Sequence, residues 1–391
     1  MIPRLSDIEE ARRNIAAFVH KTPLIYSNSF SRMTGAQVWL KCENLQKTGS
    51  FKARGSFNKI IKSRARKVIA ASMGNHAQGV AFASATLGIK SSIVMPETVS
   101  IVKETATRSY GAQVVLHGET LSEALRYALS LKGYAFIHPF DDEDVIAGQG
   151  TIGLEIAEEL DNVDAVIVPV GGGGLISGIA IALKSKYPRI QVHGVQCEGA
   201  QSAAISFRKK TPREFRAYSG LADGISVSKV GRKTLPVINK YVDEIHVAGD
   251  EDIAQSILLH MERKKLIVEG AGAVPLAFLL RNPGRFRKKK VVLVLSGGNI
   301  DFSLIDKIVR RGLVAEGRVG TVTLVIDDVP GSLNRVTSLI ARKRGNILTI
   351  SHERLAHGLP LGKTKVHVVV ETRSREHLEE ILMGLKKEGP N

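Results

Sequence analysis

Short runs rich in valine and isoleucine, "QVWLKCE", "KVIAAS", "SSIVM", "AQVVLH", "YAFI", "AVIVPV", "IQVHGVQ" and "VVLVLS", recur between longer segments of helical pattern. These runs are apolar throughout rather than alternating, so each strand needs cover on both faces. Strands of that kind alternating with helices build parallel sheets between helical layers. Up to about residue 312 the chain therefore reads as α/β. Eight strands over that length fit two parallel-sheet subdomains, with a ligand in the cleft at the strands' carboxyl ends.

The pattern changes after "RRGLVAEGR". From Gly320 the order is strand "TVTLVID", turn "DVPGS", helix "LNRVTSLIARKR", strand "NILTISHE", turn "HGLPLG", strand "KVHVVVE" and a helix from about Arg375. This βαββα series with alternating strand faces reads as a separate small α+β unit, with the boundary near 313–319. The expected division is 1–312, with a smaller subdomain at about 50–145 and the remainder larger, followed by 319–391. A chain of 391 residues exceeds what one core organises, which agrees with such a division.

Composition narrows the function classes. The apolar runs are far shorter than the roughly 20 residues of a membrane-spanning helix, so no membrane association is expected. The N-terminal "MIPRLSDIEEARRNIAAF" lacks a signal pattern, and Ser6 with Glu9 fits a capping box. Cys42 and Cys197 are too few for a disulfide framework, so a cytoplasmic location is expected. A formal charge of +17 raises nucleic-acid binding, but the basic clusters are scattered and aromatics are only 5% of the chain. Without a stacking platform the charge reads as solvated surface that also attracts anionic substrates.

The motifs carry more. In "VIVPVGGGGLISGIAIALK", Gly171, Gly172, Gly173 and Gly174 join a buried strand to an apolar helix. Glycines let backbone amides approach an anion and the helix dipole favours it, so the fitting ligand is a phosphate. Ile176 and Ser177 stand where a dinucleotide-binding fingerprint needs its third glycine, which disfavours a nicotinamide cofactor. "HGLPLGKT" imitates a nucleotide-binding P-loop, but His357 replaces its first glycine and a strand follows, so it reads as a hairpin turn.

"ASMGNHAQG" starts a helix at about Asn75, placing Ser72 and Asn75 at a strand's carboxyl end; His76 alone reads as a structural histidine. Ser296 ends the last strand of the α/β region, where a lone serine reads as a helix cap. In "KTGSFKARGS", Lys52 sits among small and hydroxyl residues, and a lysine withdrawn from solvent has a lowered amine pKa. A shielded lysine, a phosphate cradle and polar strand ends together describe pyridoxal 5'-phosphate, with phosphate in the glycine loop, aldehyde on the lysine and ring nitrogen on one polar partner.

The motifs "ENLQKTGSFKARG", "GNHAQG", "GQGTIGLEI", "PVGGGGLISG", "ADGI", "EGAGA" and "LSGGNID" resemble the threonine dehydratases of the tryptophan-synthase-β-like class of pyridoxal phosphate enzymes. The likeness runs in order through 1 to about 312, and the tail resembles an ACT domain through "VPGSL" and "NI". The resemblance implies that Lys52 is the Schiff-base lysine, with Phe51 packed on the ring, Asn75 on the ring hydroxyl, Gly171 to Gly174 on the phosphate and Ser296 on the ring nitrogen. It implies that Ser72, Asn75 and His76 hold the substrate carboxylate, and that Val329, Pro330, Gly331 and Asn346 form an effector site at a subunit interface.

Serine racemases share these motifs but carry a serine before "GNH" as the acid/base on the opposite face; Met73 stands there and exchanges no proton, which disfavours racemisation. Glu198 matches the glutamate of the racemases' metal site, but Ala204 replaces its aspartate, so no required divalent metal is expected. The resemblance thus implies deamination of L-threonine, and of L-serine, to 2-oxobutanoate or pyruvate and ammonia. It also implies a homodimer or homotetramer, a place in amino-acid metabolism and isoleucine biosynthesis, and isoleucine or valine as effector. The alternatives are a serine dehydratase or racemase of the same fold, and a non-catalytic amino-acid sensor.

Overall fold

A computed structural model describes residues 2–218, 220–355 and 357–388. The chain forms two compact units, Met1–Ile300 and Asp301–Asn391.

The first unit starts one sheet, leaves it to build another, and returns. β1 (Leu24–Tyr26) and β2 (Gln37–Lys41) come first. β3 (Lys67–Ala71), β4 (Lys90–Met95), β5 (Gln113–Leu116) and β6 (Ala135–Phe136) then form a parallel sheet in the order β5-β4-β3-β6. β7 (Ala165–Pro169), β8 (Gln191–Cys197), β9 (Glu244–Ala248) and β10 (Lys290–Val294) rejoin the first pair in the order β1-β2-β10-β7-β8-β9. Every pair in this six-stranded sheet is parallel except β1 with β2.

Two parallel sheets follow from the uninterrupted apolar strands: the β7 residues are all buried, as are the last four of β3 and of β10. The larger sheet's core joins Val166, Val168, Val192 and Val292 to Ile152, Ile176 and Ile179 of the flanking helices. The smaller sheet's core joins Val68 and Ile93 to Phe57, Ile60 and Val80. Fully buried Phe57 stacks on Phe18 at 5.0 Å and meets Phe82 edge-on at 5.6 Å. A side chain of that size contributes about 1.5–3 kcal/mol on burial.

Two strands are not visible as apolar runs. β1 has three residues, and β9, "EIHVA", is a half-buried edge strand carrying Glu244 and His246. The first helix also differs from the expected Ser6–Glu9 box. It spans Leu5–Ile15, and the Arg4 amide donates to Asp7 Oδ2 at 2.7 Å.

The second unit contains β11 (Val319–Asp327), β12 (Asn346–Glu353) and β13 (Lys363–Glu371), antiparallel in the order β11-β13-β12. Along β13, Thr364, Val366, Val368 and Val370 point inward, and the three valines pack with Val336 and Leu339 of the helix Ser332–Arg342 and Ile381 of the helix Arg375–Glu388. The division at Ile300/Asp301 puts the helix Phe302–Ala315 in this unit, ahead of the boundary expected at 313–319. Its end is tied down there, because Arg375 Nη2 donates to the Ala315 carbonyl at 2.7 Å. The change of strand period at Val319 is legible in a sequence; the unit to which a preceding helix belongs is not.

Candidate active site

Lys52 opens the helix Lys52–Ser63 where two distant segments run side by side. The Phe51 amide donates to the Ser296 carbonyl at 3.1 Å, the Gly298 amide to the Gly49 carbonyl at 2.9 Å, and Ser50 bridges Gly297. Gly49 permits this approach: its φ is +69°, and a Cβ there would stand 2.3 Å from Asn299 Oδ1. "TGSFK" is thereby laid along "SGGN", which brings Lys52 and Ser296 to one place.

The Lys52 amine donates to the Pro139 carbonyl at 2.7 Å and lies 5.1 Å from the centre of the Phe51 ring. Burial lowers its pKa to about 8, partly offset by the negative charge of Glu269. A nucleophilic amine needs its lone pair, so this shift raises the reactive fraction at neutral pH.

From Pro139 the chain leads directly to the glycine loop. Phe140 packs against it so closely that a Cβ on Gly172 would stand 2.3 Å from the Phe140 ring. Thr234 Oγ1 and the Gly231 amide donate to the Gly172 carbonyl at 2.7 and 3.1 Å. Gly173 caps the 13-residue helix Gly174–Lys186, whose first amides have no intrahelical acceptor. This cradle and its dipole suit a dianionic phosphate. With the Lys52 amine and buried Ser296, also at strand carboxyl ends, the residues present fit pyridoxal phosphate.

Asn75 and His76 begin the helix Asn75–Thr86 after β3. Asn75 Nδ2 donates to both oxygens of Glu269, at 2.8 and 3.0 Å, and its Oδ1 accepts from Asn299 Nδ2 at 2.8 Å. His76 is buried, and its Nε2 donates to the Ile137 carbonyl at 2.8 Å. Burial first and the Lys52 charge second push its pKa down to about 3, so the ring stays neutral. Ser72 Oγ accepts from the Gly74 amide at 3.3 Å.

Lys52, Phe51, Ser72, Asn75, His76, Ser296 and the glycine loop thus all lie in the first unit, at or just beyond strand carboxyl ends. In the second unit the expected effector residues separate. Val329, Pro330 and Gly331 follow the end of β11, where Asp327 pairs with Lys363. Asn346 starts β12, pairs with Glu371 and donates to its Oε2 at 2.9 Å. The nine residues of β13 lie between these ends, a span of about 27 Å at about 3.4 Å per residue. Within one chain Asn346 is not beside the turn.

Sequence reasoning assigns Glu269 no role. It is buried, and burial raises its pKa to about 7, while Asn75's hydrogen bonds pull it down. Its place in "EGAGA" marks it only as part of a motif; the partner, Asn75, lies 194 residues away. Because folding raises this carboxyl above its ordinary 4.5, the unfolded chain ionises first as pH rises, and the folded state loses relative stability up to about pH 7. Glu269→Gln is neutral throughout. Its melting temperature should gain on wild type from about pH 4.5 to 7 and hold that gain above; a margin flat with pH would contradict the assignment.

Fold and site define an enzyme that uses a lysine-bound cofactor carrying a phosphate. The family model for pyridoxal-phosphate dependent enzymes matches residues 15–297, and the chain belongs to that family. It is 47% identical to an L-threonine ammonia-lyase of Thermotoga maritima over 384 residues, 96% of each chain. Among solved structures, the processed form of threonine deaminase isoform 2 from Solanum lycopersicum superposes with a TM-score of 0.75 at 35% identity, covering 78% of this chain and 86% of that one. A serine racemase from Dictyostelium discoideum gives a TM-score of 0.73 at 36% identity, covering 77% and 100%.

Proposed function

We propose that the chain is an L-threonine ammonia-lyase that also deaminates L-serine. The observation that carries this reading is the Lys52 amine, partly deprotonated by burial and held at the Pro139 carbonyl next to the glycine loop. The near full-length identity to a threonine ammonia-lyase supports the reaction type.

Pyridoxal phosphate, when bound, supplies the aldehyde and electron-accepting ring that acidify an amino acid's Cα–H. Gly171 to Gly174 would hold its phosphate through backbone amides. Ser296 would meet the ring nitrogen with a neutral hydroxyl that does not hold that nitrogen charged, a setting that suits elimination better than transamination. Lys52 Nζ removes the Cα proton. Asn75, held by Glu269 on one side and Asn299 on the other, is the residue that would meet the ring hydroxyl. Ser72 and the first amides of the helix Asn75–Thr86 receive the substrate carboxylate, with His76 anchoring that turn through Ile137. Met73 offers no exchangeable proton on the opposite face, so D-serine is not a product.

Residues 319–391, within the second unit, are read as an ACT-like regulatory domain whose effector is a branched-chain amino acid, isoleucine or valine. The opposite ends occupied by Gly331 and Asn346 fit an effector site completed by a second copy of the chain. A homodimer or homotetramer meets that need. Cys42 and Cys197 are free and buried, which suits a cytoplasmic enzyme, and no helix among the described residues is long and apolar enough to cross a membrane.

Purified protein should release 2-oxobutanoate and ammonia from L-threonine, pyruvate from L-serine, and no D-serine. Absence of oxo acid from both substrates would leave the sensor alternative. D-Serine formation would restore the racemase. A flat rate across an isoleucine and valine titration would remove the regulatory reading of the C-terminal unit.

A further inference from the structure

Well before the strands' carboxyl ends, two histidines and a glutamate meet on the outer pair of the larger sheet. His193 is on β8, and Glu244 and His246 are on β9, with His193 in register with Glu244. One ligand atom from each lies within 4.8 Å of the others. His193 Nδ1 is 3.3 Å from His246 Nε2, and that Nε2 is 3.6 Å from Glu244 Oε2.

The 3.3 Å contact between the rings serves as a hydrogen bond and is also close to the spacing of two ligands on one metal ion. Two nitrogens bound tetrahedrally to zinc at 2.0–2.1 Å stand about 3.4 Å apart. Glu244 is already oriented as a ligand, because Arg285 holds its Oε1 and leaves Oε2 toward His246. The rings are fixed by an apolar wall, Phe278 stacking on His246 at 4.0 Å and Phe286 meeting His193 edge-on at 5.2 Å. Nε2 of buried His193 has no hydrogen-bond partner among the described residues, and it would carry the ring proton when Nδ1 presents its lone pair. Glu244 is about half exposed, its side chain at 47%, which leaves an approach from solvent and room for a water as fourth ligand.

We propose that His193, Glu244 and His246 bind a divalent first-row metal ion, zinc by the chemistry of the donors, which ties the edge strand β9 to β8. The ion is structural. It is separate from the position of Glu198 and Ala204 and from the reaction at Lys52, so it leaves the expectation of no metal requirement for catalysis untouched.

The test uses full-length holoenzyme stripped with a chelator and dialysed against zinc. Wild type should retain one zinc per chain and melt at a higher temperature with it. His246→Gln and Glu244→Gln should each lose at least about tenfold in zinc affinity, whereas Glu198→Gln should bind as wild type does. Cobalt loaded into wild type should give the visible d–d absorption of a tetrahedral site, a readout that needs no variant to fold. Absence of bound zinc and of a tetrahedral cobalt spectrum in wild type would overturn the proposal, as would folded His246→Gln and Glu244→Gln proteins binding like wild type.

Discussion

Lys52→Ala should abolish oxo-acid release, with a fall in rate of about 10³-fold or more, because one amine serves as both cofactor attachment point and base. The cradle for the phosphate does not depend on this side chain. Gly172 is positioned by Phe140, Thr234 and Gly231, and the capped helix Gly174–Lys186 is intact without it. The variant should therefore still bind pyridoxal phosphate, reversibly, while losing the yellow absorbance of the lysine-attached form. Visible spectra and oxo-acid assays on both proteins check this. Activity within tenfold of wild type would remove Lys52 from the chemistry.

Arg54→Met should cost stability rather than chemistry, by about 3–5 kcal/mol. Arg54 is 1% exposed and makes six polar contacts. Its Nε and Nη2 bind Glu43 at 2.8 and 2.9 Å, and its Nη1 and Nη2 bind Glu155 at 2.5 and 3.0 Å. Thr151 and the His20 carbonyl complete the set at 3.1 Å each. Glu155 also holds Lys41, itself fully buried, at 2.7 Å. Removing the guanidinium leaves Glu43, with no exposure, without a cation in contact among the described residues. Adding Glu43→Gln should recover part of the loss, since it removes the stranded charge. Urea denaturation measures both variants, and a change below about 1 kcal/mol for Arg54→Met would mean that the cluster is balanced without it.

Lys52 and Arg54 show what a sequence carries and what it withholds. Lys52 is legible because its function leaves traces elsewhere: four glycines after an apolar strand and a serine ending another make sense together only with a Schiff-base lysine. Arg54, two residues on, leaves no such traces. Its burial depends on carboxylates at 43 and 155 that only the fold delivers. Glu269 is hidden for the same reason, since a carboxylate in "EGAGA" does not reveal that an asparagine amide caps it. The strands of the smaller sheet are plain in valine and isoleucine, whereas β9 is masked by the polar residues that make the His193, Glu244 and His246 group. Pairing of strands so far apart in the chain leaves no local pattern to read.

The order in which the sheets are laid down sets a timetable for synthesis. Gln37 of β2 and Lys290 of β10 are neighbours inside the larger sheet. At roughly 5–20 residues per second, a ribosome takes on the order of 10–50 s to deliver the second after the first. Over that interval the nascent chain already holds all of β3 to β6, enough to condense, while β2 waits with an open edge and "KTGSFK" waits for the serine and glycines it will lie along. The nucleophile is made early and its surroundings last, so the newborn chain carries Lys52 as an ordinary lysine until the pocket that buries it and lowers its pKa is complete.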